Sequence, residues 1–403
     1  MEDNAKIFND PIHGHIELSS LCVQIIDTPQ FQRLRDISQL GGVYYVFSGA
    51  ASRRFEHCVG VSYLAKEFAV QLRDRQPELG ISPEDILCVE IAGLCHDLGH
   101  GPYSHLYDGK FLPAMGVRKF VHEHASIALL DLLIEENGLW PSFNKCNLHA
   151  EDVHFIKELI LGDENEAPEG FQWAGRPNKS FLYDIVANKR NGIDVDKFDY
   201  FARDCHVLGV TKSFDCHRLM RFARVFPNSQ KKLDADLEIC FHVKEAWNLF
   251  ELFHTRYTLH KRAYQHRVSN VIELMLTEVF KLADPFVLLP GKDRTPTRMS
   301  ECPQDMHAYW RLGEYILKQI ENSLDERLAP AQEMIARIRS RDLFPFVGQT
   351  LLASNEYNSG VSKHMHDEIM SILQKQGKTG VESQDVFCSV VRMGYGKGGK
   401  NPV

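Results

Sequence analysis

Ile91-Ala92-Gly93-Leu94-Cys95-His96-Asp97-Leu98-Gly99-His100-Gly101 runs an apolar, helix-like segment straight into two histidines and an aspartate. Imidazole and carboxylate are both ligands for divalent cations. Polar groups closing an apolar run are unfavourable to bury unless something satisfies them. His100 lies four residues after His96, one helical turn on, so the two can share a face. A hydrogen-bonded core histidine or a capping aspartate would explain either type singly. The adjacent pair with a third polar group beside it points to a site.

The surrounding sequence is mostly helical in period. Residues 59–75, 84–97, 122–137, 151–161, 181–190, 195–206, 244–283 (broken), 306–323 and 328–340 are expected to be helices. Ser82-Pro83-Glu84-Asp85 is a helix start, with a capping serine, a first-turn proline and early acids, and Asp27-Thr28-Pro29 is similar. Strands are expected at Val43–Phe47 and Leu237–Phe241, and loops at 162–180 and 284–305. From about residue 353 the chain turns polar and glycine-rich, a linker leading to the strand-like run Asp385–Val391. Gly394-Tyr395-Gly396-Lys397-Gly398-Gly399-Lys400-Asn401 approximates a P-loop, but Asn401 replaces the required Ser or Thr, so a turn is expected.

With 403 residues, 44% hydrophobic and 25% charged, the chain can build one large core or two smaller ones. It lacks any run of 18 apolar residues, so no transmembrane helix is expected. Met1-Glu2-Asp3-Asn4-Ala5-Lys6 has no basic-then-apolar pattern, so no signal peptide is expected. The ten cysteines contain no C-x-x-C. Cys22, Cys58, Cys88, Cys95 and Cys205 are read as reduced core thiols of an intracellular protein. On that reading the sequon Asn178-Lys179-Ser180 has no consequence.

Net charge is −8, yet two stretches are purely basic: Arg218, Arg221, Arg224, Lys231 and Lys232, then Arg256, Lys261, Arg262 and Arg267. Such stripes suit a phosphorylated ligand or nucleic acid, and solvated helix faces account for them equally well.

A metal centre needs further ligands from other helices. His57, in Arg53-Arg54-Phe55-Glu56-His57, sits just before an expected helix. Asp196 opens another, on one face with Tyr200 and Asp204 at four-residue spacing. His57, His96, Asp97 and Asp196 are therefore candidate ligands. His100, His105 and His122, with Asp108 and Glu123 nearby, are candidates for acid–base work.

Several long motifs carry a family resemblance. They are Lys6–Gly14, Asp27–Arg35, Arg54–His57, His96–Pro102, Asn191–His206 and His260–His266. Over residues 6–345 the chain resembles the HD-domain superfamily of metal-dependent phosphohydrolases, and within it the vertebrate SAM- and HD-domain deoxynucleoside triphosphate triphosphohydrolases. The resemblance implies a mainly all-α fold, an HD helical bundle with a few short strands and a partial α+β C-terminal lobe. The organisation expected is an N-terminal segment (1–50), the HD core (51–283), a helical extension (284–352) and a linker with a truncated lobe (353–403).

The resemblance also implies hydrolysis of a dNTP to deoxynucleoside and inorganic triphosphate, with metal-assisted in-line attack at the α-phosphorus. His57, His96, Asp97 and Asp196 would hold iron, manganese or zinc, and Mg2+ would accompany the phosphates. His122 would be the general acid at the 5′ oxygen, supported by His100 and Asp108, with His105 near the phosphates. Arg54, Lys197, Tyr200 and Arg256 match triphosphate positions, and Gln39, Leu40, Asp204, Tyr264 and Gln265 match positions around sugar and base. A tyrosine against the sugar edge would exclude a 2′-hydroxyl.

Regulation is implied in the same way: GTP and dNTP as activators, with assembly into a tetramer. Lys6, Ile7, Asp27, Gln32 and Arg35 match the guanine-nucleotide positions. Val46, Phe47, Arg218, Lys244, Asn248, His266 and Arg267 match the dNTP effector positions. His242 stands where the family has arginine, and Arg267 where it has lysine. The resemblance further implies control of cellular dNTP pools, antiviral defence and a nuclear location. No SAM domain or nuclear-import segment is expected in this chain. Two other readings stay open: an HD phosphodiesterase or nucleotidase on another nucleotide, and a binder of single-stranded nucleic acid with a structural metal.

Overall fold

The computed structural model describes residues 5–227, 236–352, 360–377 and 380–391. It begins with an antiparallel hairpin, β1 (Lys6–Asp10) and β2 (Gly14–Leu18), with Asp10 opposite Gly14. Asp10 Oδ1 closes the turn by accepting the backbone N–H groups of Ile12 and His13 at 2.8 and 2.9 Å.

The bundle follows as α1 (Arg54–Arg75), α2 (Pro83–Cys95), α3 (His122–Glu136), α4 (Ala150–Leu161) and α5 (Val195–Leu208). Local chemistry sets their limits. Ser82 and Asp85 form a reciprocal capping box at the start of α2. Asp194 caps α5 by accepting from Lys197 N at 3.1 Å. Helix α1 packs on α2 and α5, and α2 on α4. Phe68, Leu64, Ile91, Phe155 and Phe198 are fully buried in that core. Two glycines allow the close approaches that shape the site. A Cβ on Gly60 of α1 would meet Asp199 Oδ1 of α5 at 2.0 Å. One on Gly99 would meet His122 O at 2.1 Å and Ser126 N at 2.4 Å at the start of α3.

A second hairpin pairs β3 (Ala223–Pro227) with β4 (Leu237–Phe241). After it come α6 (Ala246–Leu259) and α7 (Arg267–Ala283), separated by the π-helical segment His260–Tyr264. The break expected within 244–283 falls there. A third hairpin, β5 (Leu288–Pro290) with β6 (Pro296–Arg298), leads to α8 (Ala329–Ser340), which packs on α7. These elements, up to Leu343, form one compact unit.

The described residues within Phe344–Gly394 form a second unit. It carries α9 (Val361–Lys375), held by Ser362 Oγ donating to Cys388 O at 2.6 Å and by stacking of Phe344 on Phe387. The fold class is as expected, mainly helical with short strand pairs.

Several local expectations are corrected. Val43–Phe47 is not a strand: Gly41–Tyr45 is a 3-10 helix, with Val43 and Phe47 drawn into an apolar cluster and no strand beside them to pair among the described residues. His57 lies inside α1, in its first turn, rather than before the helix. The helix expected over 181–190 is reduced to Ser180–Leu182 and Tyr183–Val186, since Asn188 Oδ1 captures the N–H groups of Arg190 and Asn191 in a turn. The helix expected over 306–323 splits into Met306–Tyr309 and Tyr315–Glu321 around Gly313. The loop expected over 284–305 contains the β5–β6 hairpin, and α9 occupies what was read as linker. Asp385–Val391 forms no strand among the described residues; it has no partner to pair with. The P-loop-like run from Gly394, and Lys231 and Lys232, lie outside the described residues.

All ten cysteines are free, and most are buried. Among the described residues no helix is long and apolar enough to cross a membrane.

Candidate functional site

Donor atoms from three elements meet at the heart of the bundle: His57, His96 and Asp97 form one compact group, and Asp196 reaches the two histidines. His57 reaches in from the first turn of α1, His96 and Asp97 from the end of α2, and Asp196 from the first turn of α5. His57 Nε2 lies 3.1 Å from Asp196 Oδ1 and 3.4 Å from Asp97 Oδ2. His96 Nε2 lies 3.4 Å from Asp196 Oδ1 and 3.5 Å from Asp97 Oδ2. Donor atoms sharing one ion at about 2.1 Å stand roughly 3.0–3.4 Å apart.

Tautomers decide whether this is a metal centre or a hydrogen-bonded knot. His57 Nδ1 donates to Asp199 Oδ2 at 2.7 Å, and His96 Nδ1 donates to Gly93 O at 2.8 Å. Carboxylate and carbonyl oxygens only accept, so each Nδ1 carries a proton and each Nε2 faces inward. Both Nε2 atoms are buried without a hydrogen-bond partner. Burial would lower the pKa of both imidazoles, but the facing carboxylates outweigh it and raise them. A positive charge therefore belongs at these Nε2 atoms: a ring proton, or a divalent cation in its place, which the donor set fits.

Asp199 holds more than His57. It also accepts from His13 Nε2 at 2.7 Å and from Arg203 at 2.8 and 2.9 Å, and Arg203 reaches Asp10 at 2.9 Å. The N-terminal hairpin is thereby anchored to the layer that carries His57. Sequence reasoning passed over Asp199, His13 and Arg203. The available signal was an acid–arginine pair at four-residue spacing flanked by Phe198 and Phe201, which marks a buried face.

Arg54 directs its guanidinium at Asp97, at Ser104 Oγ (2.9 Å) and at Gln39 O (3.3 Å). Burial would raise the Asp97 carboxyl, but contacts led by the Arg54 guanidinium outweigh it and hold it well below the usual range. Ser104 and Tyr103 have left-handed backbones, φ 54° and 59°. Such strain, about 1–2 kcal/mol per residue, persists where surrounding contacts enforce it.

A second cluster adjoins the first: His100, His105, Asp108 and His122. The His100 and His122 rings stack with centroids 4.0 Å apart. His122 Nδ1 donates to Asp108 Oδ2 at 3.2 Å, and His105 Nδ1 lies 3.5 Å from the same oxygen. Burial lowers the His122 pKa, but Asp108 and Glu123 outweigh it and set it above the ordinary value. His100 is pushed far below its ordinary value by burial, then by the Arg54 and His122 charges. The two stacked rings are therefore pushed in opposite directions, His100 toward its neutral form and His122 toward its protonated one. Asp108 lies in a π-helical segment, Tyr107–Phe111.

On the other side, burial pushes the Asp204 carboxyl up to about 7, while Tyr264 Oη donates to Asp204 Oδ2 at 2.5 Å. Asp204 Oδ1 and Gln39 Oε1 are buried without partners. Leu40 and Tyr264 belong to one apolar cluster. Gln265 Oε1 accepts from Asn270 at 3.3 Å. Tyr200 lies 6.3 Å from the His57 ring. Lys197 pairs with Asp194 at 2.9 Å, and the Arg256 charge is felt at both Lys197 and Tyr200.

Comparison with known proteins agrees with this geometry. The HD domain family matches residues 54–204. The chain is 47% identical over 411 residues to the Homo sapiens protein named "Deoxynucleoside triphosphate triphosphohydrolase SAMHD1", covering 100% of this chain and 64% of that one. It is 46% identical to the Bos taurus protein of that name, covering 69% of it, and 37% identical to the Dictyostelium discoideum homolog, covering 70%. The chain belongs to the SAMHD1 family. It spans less than two thirds of the length of the human SAMHD1 protein.

The stretch that this SAMHD1-family chain shares with HD domains opens at Arg54 in α1 and closes at Asp204 in α5, so it encloses His57, His96, Asp97 and Asp196. The residues expected at effector positions form separate groups here. Lys6 pairs with Asp27 at 3.2 Å, Gln32 accepts from Arg35 at 2.8 Å, the Arg35 guanidinium lies over Phe55, and Ile7 is exposed. Arg218, Lys244 and Asn248 line one open pocket, where Arg218 pairs with Glu245 at 2.7 Å. Phe47 packs on His266 with centroids 5.7 Å apart, and Val46 and Arg267, like these two, are not in that pocket's lining. His242 Nδ1 accepts from Lys244 N at 3.1 Å.

Proposed function

We propose that this protein is a metal-dependent dNTP triphosphohydrolase, cleaving dNTP to deoxynucleoside and inorganic triphosphate. The observation that carries the reading is the pair of orphaned, inward-facing Nε2 atoms of His57 and His96 set against Asp97 and Asp196 beside the His100–His122 stack. The names of the relatives supply the substrate class.

These four side chains would hold a divalent cation, which would supply Lewis-acid activation at the α-phosphate. The protein's own groups do the rest. Lys197 stays protonated because Asp194 and Asp196 outweigh its burial, and with Arg256 it neutralises phosphate charge. His122, protonated and oriented by Asp108, gives its proton to the departing 5′ oxygen. Neutral His100 lets that proton reside on His122 without a second cation against it. The unpartnered Asp204 Oδ1 is available to the sugar 3′-hydroxyl, and Tyr264 to its 2′ edge.

Regulation belongs to the same proposal: activation by GTP and dNTP with tetramer assembly, lowered dNTP pools, a nuclear location and, through the family, antiviral defence. Triphosphate release from dGTP, followed with and without GTP, tests the reaction, and no release with metal and activator present refutes it. A panel of ribonucleotides and cyclic nucleotides separates a dNTPase from other phosphohydrolases. Light scattering with GTP plus dNTP tests assembly, and imaging of a tagged full-length chain tests location.

A further inference from the structure

Arg33 is a buried guanidinium with no carboxylate partner among the described residues. A charge taken from water without a counter-ion is unfavourable unless its donors are fully directed. They are directed at main-chain oxygens. Nε donates to Leu312 O at 2.7 Å, Nη1 to Leu98 O at 3.1 Å, and Nη2 to His100 O at 2.5 Å. Two of the three carbonyls thus belong to the loop that carries Asp97 and His100.

The remaining carbonyls of that loop are held as well. Tyr309 Oη donates to Gly99 O at 2.6 Å, beneath the Arg33 guanidinium, 5.3 Å from its ring centroid. Ser126 Oγ donates to His96 O at 2.7 Å. A planar fork fixes the relative orientation of two carbonyls, which an ammonium, a single point charge, cannot do.

We propose that Arg33 is a positioning residue for the His100–His122 pair, setting the backbone of residues 98–100 so that His100 stacks on the proton donor, with Tyr309 as its second support. This rests on the phosphohydrolase reading only for its kinetic readout. The imidazole sits on a backbone whose carbonyls face Arg33, so a shift in the fork is transmitted to the ring. Small misplacements of reacting groups reduce turnover strongly without changing affinity.

The test is Arg33→Lys in the full chain, with Tyr309→Phe as an independent, milder variant. In zinc-loaded protein labelled on histidine, the stacked His100 and His122 rings give ring-current-shifted NMR signals. The expected result is that Arg33→Lys moves both signals, that Tyr309→Phe moves them less, and that kcat falls roughly ten- to a hundredfold with KM within about twofold. Unmoved ring signals in folded Arg33→Lys overturn the proposal, as does an effect on KM alone. If Arg33→Lys does not fold, unmoved signals in Tyr309→Phe overturn it. An inactive wild type refutes the phosphohydrolase reading, and the ring signals then decide the positioning role separately.

Discussion

Asp199 Oδ2 lies 2.7 Å from His57 Nδ1, and this one contact fixes which nitrogen of His57 faces the candidate metal. The carboxylate is fully buried, and three basic side chains from three parts of the chain converge on it. Carboxylate–histidine–metal arrangements of this kind hold ring orientation and raise ligand basicity.

Replacing Asp199 with alanine is expected to lower metal affinity by roughly 10–100-fold. Metal titration followed by elemental analysis of the purified variant checks it. Wild-type stoichiometry and affinity would show that His57 keeps its tautomer without Asp199.

His122→Ala is expected to lower kcat by about 10²–10⁴. The pH profile carries a sign. The folded pKa of His122 is raised, so the acid form persists below it and activity is lost as pH rises through it. Asp108→Asn removes a carboxylate that raises that pKa, so the alkaline limb should move to lower pH. An unmoved or upward-moved limb contradicts the assignment.

Tyr264→Phe removes the 2.5 Å hydrogen bond to Asp204. The acid, already pushed up to about 7 by burial, loses a contact that lowers it, so its neutral form should extend to higher pH. Leaving this buried group short of a partner should cost about 1–3 kcal/mol. Urea melts read the stability loss, and KM for dNTP should rise. Unchanged melts and KM together refute the coupling.

Asp85 pairs with Arg176 at 2.7 Å and with Lys179, pinning the 162–180 loop to the start of α2. Burial alone would raise its pKa, but Lys179, the Ser82 N–H and Arg176 outweigh that and lower it. The stabilisation is therefore present above the unfolded pKa, about 3.9, and lost as pH falls through the lower folded value. Asp85→Ala should cost about 3 kcal/mol at neutral pH, with the difference from wild type shrinking in acid. Denaturant melts at two pH values check this, and a pH-independent difference counts against it.

Helices with a strong period and their own caps were legible from sequence, as α2 with Ser82 and Asp85 illustrates. So was the His96-Asp97 pair, because its polarity interrupts an apolar run. Val43–Phe47 misled because apolar, β-branched and aromatic residues suit a strand and a buried 3-10 turn alike. The 306–323 segment misled because its break depends on Glu314 being drawn to Ser38 and Arg53, far away in the chain.

The residue types and spacings alone established the helical class, the polar cluster after Ile91 and the ligand candidates His57, His96, Asp97 and Asp196. These are local properties, since periodicity, capping and side-chain chemistry act over a few residues. Which imidazole nitrogens face the centre, and how His122 is oriented, depended on the folded chain. His57 meets Asp199 142 residues away, His13 meets it 186 away, and Arg33 meets Leu312 279 away. Contacts at such separations leave no local period. They exist only once packing has removed water and made each buried polar group take the partner within reach.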